Sequence, residues 1–302
     1  MIDFYIALQQ AVLPEHIRAK ESMAKHTSFQ VGGPADYYIT VASAKELKQG
    51  LQCCKEYQVD AVVLGNGSNV LVSDKGFHGV VFQLGKDFSK FVVEDTTVRV
   101  QAGMLLGQLG KVLLEQELTG FEFASGIPGT VGGAVYMNAG AYGGEIKNIL
   151  KSCRVLTKDF QIEERTVEQL ELGYRHSSLM KEQEYVLDAT FQLQHGNYEQ
   201  IKKQMDDLAA KRRQKQPLEY PSAGSTFKRP EGYYAGQLIQ ESGLRGYRVG
   251  GAMVSEKHCG FVINAGGATA SEIYQLTEDV KRIVKEKFGV ELEREIRLIG
   301  EF

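Results

Sequence analysis

Apolar residues recur at helical spacing in several stretches of the chain. Phe4, Leu8 and Val12 lie four residues apart, which predicts a short helix that Pro14 ends. The same period predicts helices that begin near residues 43, 104, 197, 235 and 269. Two of these helices begin with the residue spacing of a capping box, which is found in the pairs Ser43 and Glu46, and Thr269 and Glu272.

Short apolar runs between these helices predict strands. The last run, Val290–Ile299, alternates apolar and polar residues, and only Arg294 interrupts its apolar face. Because strands and helices are interspersed without a repeat, the sequence predicts an α+β fold. The other predicted strands are Ala61–Leu64, Val70–Val72, Val80–Leu84, Thr97–Gln101, Cys153–Leu156 and Tyr185–Leu193.

The pattern changes near residue 200. A helix begins at Asn197 and ends in a basic cluster, and Pro217 and Pro221 then mark a non-helical connector. A chain of 302 residues is long enough for two domains at about 100–200 residues each. We therefore predict one domain over residues 1–200 and a smaller one over residues 201–302.

Composition and charge exclude several classes of protein. The formal net charge of −3 gives no basic surface for nucleic acid or an anionic membrane, and no apolar run is long enough to span a bilayer. The first residues lack a positively charged signal segment, and the four cysteines fit reduced cytosolic thiols. Cys53 and Cys54 are adjacent and no zinc-ligand spacing exists, so we predict no metal. The expected location is the cytoplasm, with no nucleic acid or membrane partner.

Glycine is over-represented, and a first cluster of it follows a buried strand at Gly65-Asn66-Gly67-Ser68-Asn69. The chain has 33 glycines, about 11% against a usual share of roughly 7%. The cluster is not a Rossmann fingerprint, since the third glycine would fall at Val70, and no Gly-Lys-Ser/Thr follows for a P-loop. A tight turn and a phosphate-binding loop both remain open for it.

A second and denser cluster runs from Gly126 to Gly144. It reads Gly126-Ile127-Pro128-Gly129-Thr130-Val131-Gly132-Gly133-Ala134 and continues to Asn138-Ala139-Gly140-Ala141-Tyr142-Gly143-Gly144. Apolar Ile127 and Val131 are interleaved, as expected where a flat ring packs near the backbone. Two glycine-rich loops together favour a bound dinucleotide.

These loops, with three further motifs, closely resemble the UDP-N-acetylenolpyruvoylglucosamine reductase (MurB) family. The further motifs are Gly173-Tyr174-Arg175-x-Ser177, Ala223-Gly224-Ser225-Thr226-Phe227-Lys228 and Glu295-Ile296-Arg297-Leu298-Ile299-Gly300. They occur in the family order and cover the chain from about residue 26 to its end.

The resemblance implies an FAD-binding fold of the vanillyl-alcohol-oxidase (PCMH) type in two subdomains, followed by the substrate domain. It also implies non-covalent FAD, NADPH as hydride donor, and reduction of UDP-N-acetylglucosamine enolpyruvate to UDP-N-acetylmuramate in peptidoglycan synthesis. Because no segment between Arg175 and Ser225 corresponds to the extra tyrosine loop of some members, we expect a short-form enzyme. Nothing in the sequence suggests an obligate interface, so we also expect a monomer.

The resemblance assigns roles to individual residues. Arg175 and Glu295 would stabilise charge at the substrate carboxylate, and Ser225 would donate the proton. The substrate would also contact Tyr174, Lys215 and Arg297. The residues that would bind the cofactor are Gly65, Asn66, Gly67, Ser68, Asn69, Ile127, Pro128, Gly129, Thr130, Gly132, Gly133, Asn138, Gly140 and Ala141.

The residues alone leave alternatives to these roles. Arg175 could form a surface ion pair, Ser225 could be a turn residue, and Glu295 could lie on a solvated strand face. Lys215 could simply complement the dipole at a helix C-terminus. The chain departs from the family at His176, where an acidic or small residue is common, and at Arg229, where members have asparagine.

Two other functions compete with the reductase. The first is a sugar-alcohol oxidase or dehydrogenase of the same flavin fold, which would share the glycine loops but has no need of the Ser225 and Glu295 motifs. The second is a flavin- or nucleotide-binding regulatory module without catalysis. A visible flavin spectrum would separate the two enzymes from a protein that binds only a nucleotide.

Overall fold

The computed structural model describes residues 2–302, and for Ile2 only the backbone. The chain forms two compact units, each assembled from separate stretches. The first comprises the residues up to Ala19, together with Tyr37–Asn66 and Gly79–Arg212; the second comprises Lys20–Asp36, Gly67–His78 and Arg213–Phe302. The predicted domain boundary after residue 200 stays a prediction.

Helices are interspersed with runs of strands along the chain, which confirms the predicted α+β class. The α-helices in the described part of the chain are α1 (Ile2–Ala11), α2 (Ala44–Glu56), α3 (Leu106–Glu115), α4 (Val131–Tyr136), α5 (Leu179–Glu182), α6 (Tyr198–Lys215), α7 (Ala235–Glu241) and α8 (Ala270–Phe288). None of these helices, within residues 2–302, is both long and apolar enough to cross a membrane.

Most strands are short. They are β1 (Ile17–Ser22), β2 (Pro34–Val41), β3 (Ala61–Leu64), β4 (Val70–Val72), β5 (Phe77–Leu84), β6 (Phe91–Glu94), β7 (Thr97–Gln101), β8 (Leu118–Thr119), β9 (Gly140–Ala141), β10 (Gly144–Glu145), β11 (Leu150–Leu156), β12 (Ile162–Thr166), β13 (Tyr185–Gln192), β14 (Gln194–His195), β15 (Arg248–Val249), β16 (Ala252–Val254), β17 (Val262–Asn264) and β18 (Arg297–Ile299).

The first unit is built on an antiparallel sheet of order β12-β11-β13-β7-β6. The central strand β13 pairs with β11 and β7, so that Ala189 lies opposite both Cys153 and Val100. In the same unit β3 pairs in parallel with β5, with Ala61 opposite Val80. Buried side chains of the sheet and of α1 to α4 form one apolar core, which fixes the ends of the strands that carry the glycine-rich loops.

The second unit combines a small antiparallel sheet, β15-β16-β17, with the long helix α8. Ile273, Leu276 and Val280 of α8 are fully buried in its core. The Thr269–Glu272 capping box begins α8 as predicted, and Gly289 ends it with a φ of +69°. In this unit β18 runs parallel to β4, with Leu298 opposite Leu71.

The prediction of a strand over Val290–Ile299 is wrong for most of this segment. Only Arg297–Ile299 forms a strand, and Arg294 makes an isolated bridge with Phe227. Leu292 and Ile296 are buried. The alternation of apolar residues therefore predicted correctly which side chains are buried, but not that the backbone would pair as a continuous strand.

Arg294 shows why this segment does not continue as a strand. The side chain bonds to Glu278, donates to Thr277 Oγ1 at 3.2 Å, and lies 4.8 Å from the ring centroid of Tyr274. The cation that interrupts the apolar face is therefore satisfied by α8.

Asp74 connects two segments of the second unit. Its carboxylate accepts from the N–H groups of Ala270 and Ser271, both at 2.8 Å, and from the Ser271 hydroxyl at 2.6 Å. Burial alone would raise the pKa of Asp74, but the hydrogen bonds from Ser271 and Ala270 outweigh it and hold the pKa below its usual value. The carboxylate thus stabilises the first turn of α8 as an anion.

Asp74→Asn should lower the free energy of unfolding by about 1 kcal/mol at pH 7, the usual size of a capping interaction. A carboxylate whose folded pKa is depressed contributes stability above its unfolded value, about 3.9, and loses it as the pH falls through the folded value. The difference between wild type and variant should therefore shrink below about pH 4. Urea denaturation at several pH values measures it. Asp207→Asn, at an exposed carboxylate of α6, is the control and should show no such difference.

Candidate functional site

The two predicted glycine loops meet in the first unit. A Cβ placed on Gly65 would lie 2.2 Å from Thr130 Oγ1, so the end of β3 touches the start of α4. Thr130 is buried and caps α4, since its Oγ1 accepts from the Gly133 N–H at 3.4 Å. The structure thus brings together two motifs that are 65 residues apart in the sequence.

Gly132 and Gly133 of α4 lack side chains for different reasons. A Cβ on Gly132 would lie 2.7 Å from Ala102 Cβ, so packing within the protein explains that glycine. A Cβ on the exposed Gly133 would meet only Thr130 Oγ1, at 3.7 Å. Nothing in the protein requires glycine there, although glycine costs about 1 kcal/mol relative to alanine in a helix. The open surface at Gly133 therefore fits a ligand such as FAD that approaches the backbone closely.

Arg175 lies in a tight turn of the first unit. Backbone hydrogen bonds between Gly173 and His176 close the turn. Arg175 has a φ of +53°, a backbone conformation that residues other than glycine rarely adopt. Its guanidinium lies 5.0 Å from the ring centroid of Tyr174, which is 47% exposed, and Nη2 donates to Gly140 O at 3.4 Å. Backbone strain of this kind collects at functional sites.

Asn138 links this turn to the second glycine loop. The side chain is fully buried, and Nδ2 donates to Gly173 O and to Glu145 Oε2, both at 2.9 Å. Oδ1 accepts from the Lys147 N–H at 2.9 Å. Both N–H donors of the predicted cofactor ligand are therefore used within the protein. A role in cofactor binding stays a prediction.

Arg212 is a functional candidate that the sequence analysis did not single out. A Cβ on Gly126 would lie 3.6 Å from Arg212 Nη1, which places the guanidinium beside the second glycine loop. Burial lowers the pKa of Arg212, and its side chain has no hydrogen bond or ion pair within residues 2–302. The basic run at the end of α6 was the available signal, but only burial distinguishes Arg212 from the exposed Lys215.

Ser225 and Glu295 are brought together in the second unit. Thr226, next to Ser225, accepts at its carbonyl from the Glu295 N–H at 2.8 Å. Ser225 itself is exposed and follows Gly224, whose φ is +77°, whereas Glu295 is half-buried. The hydroxyl and the carboxyl group thus belong to neighbouring backbone segments, although 70 residues separate them in sequence.

The segment that carries Ser225 is fixed by Thr226. The Thr226 N–H donates to Gly260 O at 2.9 Å, and its Oγ1 accepts from the Val262 N–H at 2.8 Å. His258 lies in the same supporting loop, where Nδ1 accepts from the Gly260 N–H at 3.1 Å and burial lowers the pKa of the imidazole. These contacts order the backbone on one side of Ser225.

Asn69 holds the other side of this cluster. Its Nδ2 donates to Glu295 O at 3.2 Å, and its carbonyl accepts from the Arg297 N–H at 3.0 Å. Gly67, in the same loop, has no room for a Cβ, which would lie 1.9 Å from His26 O. Asn69, Glu295 and Arg297 therefore form one connected group in the second unit, next to the segment of Ser225.

The remaining predicted site residues lie at or near the surface. Arg297 and Lys215 are exposed, as is Arg229, whose guanidinium lies 4.7 Å from the ring centroid of Tyr234. The other predicted cofactor ligands are either exposed, as are Asn66 and Pro128, or half-buried, as are Ser68, Ile127, Gly129, Gly140 and Ala141. Their individual contacts with ligands stay predictions.

Two known domain families match the sequence. Residues 35–164 match the FAD binding domain, and residues 216–299 match the C-terminal domain of UDP-N-acetylenolpyruvoylglucosamine reductase. The protein named UDP-N-acetylenolpyruvoylglucosamine reductase in Lachnoclostridium phytofermentans is 56% identical over 97% of this chain and 96% of its own. The protein of that name in Clostridioides difficile is 52% identical over 99% and 98%.

Solved structures agree with these matches. The crystal structure of UDP-N-acetylenolpyruvylglucosamine reductase (MurB) from Thermus caldophilus has a TM-score of 0.80 and 36% identity, and covers 94% of this chain and 100% of its own. Alkyldihydroxyacetonephosphate synthase is similar in fold alone. Its structure has 19% identity and a TM-score of 0.51, and the match covers 65% of this chain and 41% of its own. The predicted FAD-binding fold of the vanillyl-alcohol-oxidase type is confirmed.

Substitution of Gly133 should separate flavin binding from folding. Gly133→Ala should raise the thermal stability of the apoprotein slightly, because alanine favours the helix. It should weaken FAD binding roughly 10- to 100-fold, since an unaccommodated methyl group costs about 1–3 kcal/mol. Melting of the apoprotein and titration with FAD measure the two effects.

Gly132→Ala is the matched comparison, and its added methyl group faces Ala102 in the protein. It should lower the melting temperature of the apoprotein. If Gly133→Ala bound FAD with wild-type affinity, the open surface at Gly133 would not face the cofactor.

Proposed function

The chain belongs to the UDP-N-acetylenolpyruvoylglucosamine reductase family, and we propose that it reduces UDP-N-acetylglucosamine enolpyruvate to UDP-N-acetylmuramate, with NADPH as hydride donor. It is a flavin-dependent oxidoreductase that uses FAD. The observation that carries the proposed reaction is the backbone hydrogen bond from the Glu295 N–H to Thr226 O, which places the segments of Ser225 and Glu295 side by side. A sugar-alcohol oxidase of the same fold needs no such hydroxyl and carboxyl group.

The proposed reaction needs a stabilised carboxylate and a proton donor. When FAD is bound, the chemistry that it supplies is hydride transfer to the terminal carbon of the enolpyruvyl group, after reduction by NADPH. Arg175 binds the substrate carboxylate, because its planar and permanently charged guanidinium matches two carboxylate oxygens. Glu295 stabilises the charge that develops on the carboxylate side, and Ser225 donates a proton to the adjacent carbon.

Other basic and aromatic residues suit a nucleotide-sugar substrate. Lys215 is assigned to the substrate diphosphate, Tyr174 and Arg297 to further substrate contacts, and Arg212 to an anionic group near Gly126. Support comes from the half-buried, unpaired guanidinium of Arg212 and from the exposed ring of Tyr174. We further propose that the protein acts in the cytoplasm as a monomer, at a step of peptidoglycan synthesis.

A spectroscopic experiment tests this function against its alternatives. The purified protein should show the visible bands of bound flavin, which a nucleotide-only binding module would lack. NADPH should bleach these bands anaerobically, and UDP-N-acetylglucosamine enolpyruvate should restore them. Restoration by oxygen alone, with reduction by a sugar alcohol, would favour the oxidase.

Ser225→Ala should separate the two half-reactions. The variant should bind FAD and oxidise NADPH at the wild-type rate, because the substituted hydroxyl serves only proton donation. Overall turnover should fall by about 10²–10⁴-fold, the usual contribution of a general acid. Stopped-flow measurement of flavin reduction and of its reoxidation by substrate resolves the two steps.

Ser222→Ala, at a half-buried serine three residues earlier, is the control for Ser225→Ala and should leave both steps unchanged. Loss of FAD from Ser225→Ala would contradict the assignment of Ser225 to the substrate.

Glu295→Gln tests the carboxyl group against its neighbour. Glu293, two residues earlier, is 70% exposed and pairs with Lys228 at 2.5 Å, so Glu293→Gln should change stability and rate little. Glu295→Gln should lower turnover at least roughly 100-fold relative to Glu293→Gln, about 2.7 kcal/mol of barrier. Substrate binding should change less than turnover, as for an interaction that strengthens in the transition state. Equal activities of the two variants would exclude Glu295 from catalysis.

A further inference from the structure

Arg175 is held in a backbone conformation that it would not adopt by itself. For a residue with a Cβ, the left-handed region is unfavourable, because Cβ comes too close to the following carbonyl oxygen. The turn that contains Arg175 is closed by two backbone bonds, from the Gly173 N–H to His176 O at 3.1 Å and from the His176 N–H to Gly173 O at 3.3 Å. The contacts of this turn must therefore fix the guanidinium.

Asn138 makes the central contact with the turn. Its Nδ2 donates to Gly173 O, the carbonyl that precedes the Tyr174–Arg175 peptide unit in the turn. Because Asn138 is fully buried, this bond is shielded from competing water. Asn138 itself has a φ of +44°, so it too is held in the left-handed region.

Two further contacts hold the same turn against the 136–147 segment. The Ser177 hydroxyl donates to Tyr136 O at 2.5 Å, and Arg175 Nη2 donates to Gly140 O at 3.4 Å. Glu145 lies on the other side of Asn138. Its pKa is lowered by the hydrogen bond with Lys147, by that from Asn138, and by the charges of Lys147 and Arg175. The turn is therefore anchored before, at and after Arg175.

We propose that Asn138 is a positioning residue that fixes the Gly173 carbonyl and thereby aims the Arg175 guanidinium at the substrate carboxylate. The carboxylate target rests on the proposed function, whereas the anchoring of the turn does not. Asn138 acts through Arg175, and its side-chain N–H groups bind the protein and not the cofactor.

Asn138→Asp is the variant of choice, because it preserves the shape and the acceptor for Lys147 but removes the N–H groups donated to Gly173 O and to Glu145 Oε2. Its FAD content and its rate of flavin reduction by NADPH should equal those of wild type. Reoxidation by the enolpyruvyl substrate should be about 10- to 100-fold slower, the effect of losing a buried hydrogen bond. In an Arg175→Ala background the same substitution should change reoxidation less than about twofold.

Asn148→Asp is the matched control. The Asn148 side chain accepts from the Glu145 N–H at 2.9 Å in the same loop. This variant should match wild type in every measurement. If Asn138→Asp does not fold, Asn138→Ser, which is smaller and uncharged, takes its place.

A proteolytic readout tests the anchoring independently of substrate turnover. Trypsin cleaves after arginine, so loss of the anchor should speed cleavage between Arg175 and His176 at least about tenfold in Asn138→Asp, and not in Asn148→Asp. If wild type fails to turn over the substrate while cleavage follows this pattern, the proposed function fails and the anchoring stands. Three results would overturn the positioning role. They are a wild-type rate of trypsin cleavage in Asn138→Asp, loss of FAD from Asn138→Asp, and an equal slowing of flavin reoxidation by Asn138→Asp in the Arg175→Ala background.

Discussion

The functional loops depend on buried polar side chains that bind loop backbone. A backbone N–H or carbonyl that is buried without a partner costs about as much as a lost hydrogen bond, and helices and strands satisfy only their own residues. In the first unit Asn138 satisfies loop groups that no strand reaches. In the second unit the buried Thr226 side chain accepts from the Val262 N–H, and the half-buried Asn69 side chain donates to Glu295 O. The geometry of each candidate site is therefore set by a few polar side chains.

The sequence predicted the regular elements well where local signals agree. Ser43 caps α2 and Asn197 bonds to the start of α6, each as the residue types suggest, because capping acts over only three residues. The last strand was mispredicted because apolar alternation reports burial alone. Arg294 could have signalled this, but its partner Glu278 lies on a helix 16 residues away.

The site was predictable as motifs and not as geometry. The family motifs implied roles for Arg175, Ser225 and Glu295, but no local rule joins Thr226 to Glu295 across the intervening helices. The two glycine-rich loops likewise indicated a bound dinucleotide, but not which of their glycines would face it. Gly132 is explained by Ala102, and only coordinates distinguish it from Gly133. Arg212 was hidden among exposed basic neighbours for the same reason, since burial depends on tertiary contacts.

Loop anchoring also bears on the proposed reaction, because it orients side chains within each unit. Electrostatic stabilisation is effective when charged and dipolar groups are already oriented before the charge develops, so that no reorganisation is needed during the reaction. A long side chain such as arginine loses up to about 2 kcal/mol of conformational entropy when it is fixed. In this protein that cost is offset during folding, because Asn138 and Ser177 fix the backbone of the Arg175 turn. Thr226 and Asn69 fix the backbone beside Ser225 and Glu295 in the same way. Because these side chains order the loops during folding, less of the substrate's binding energy is needed to order them during the proposed reaction. More of that energy is then available to stabilise the transition state.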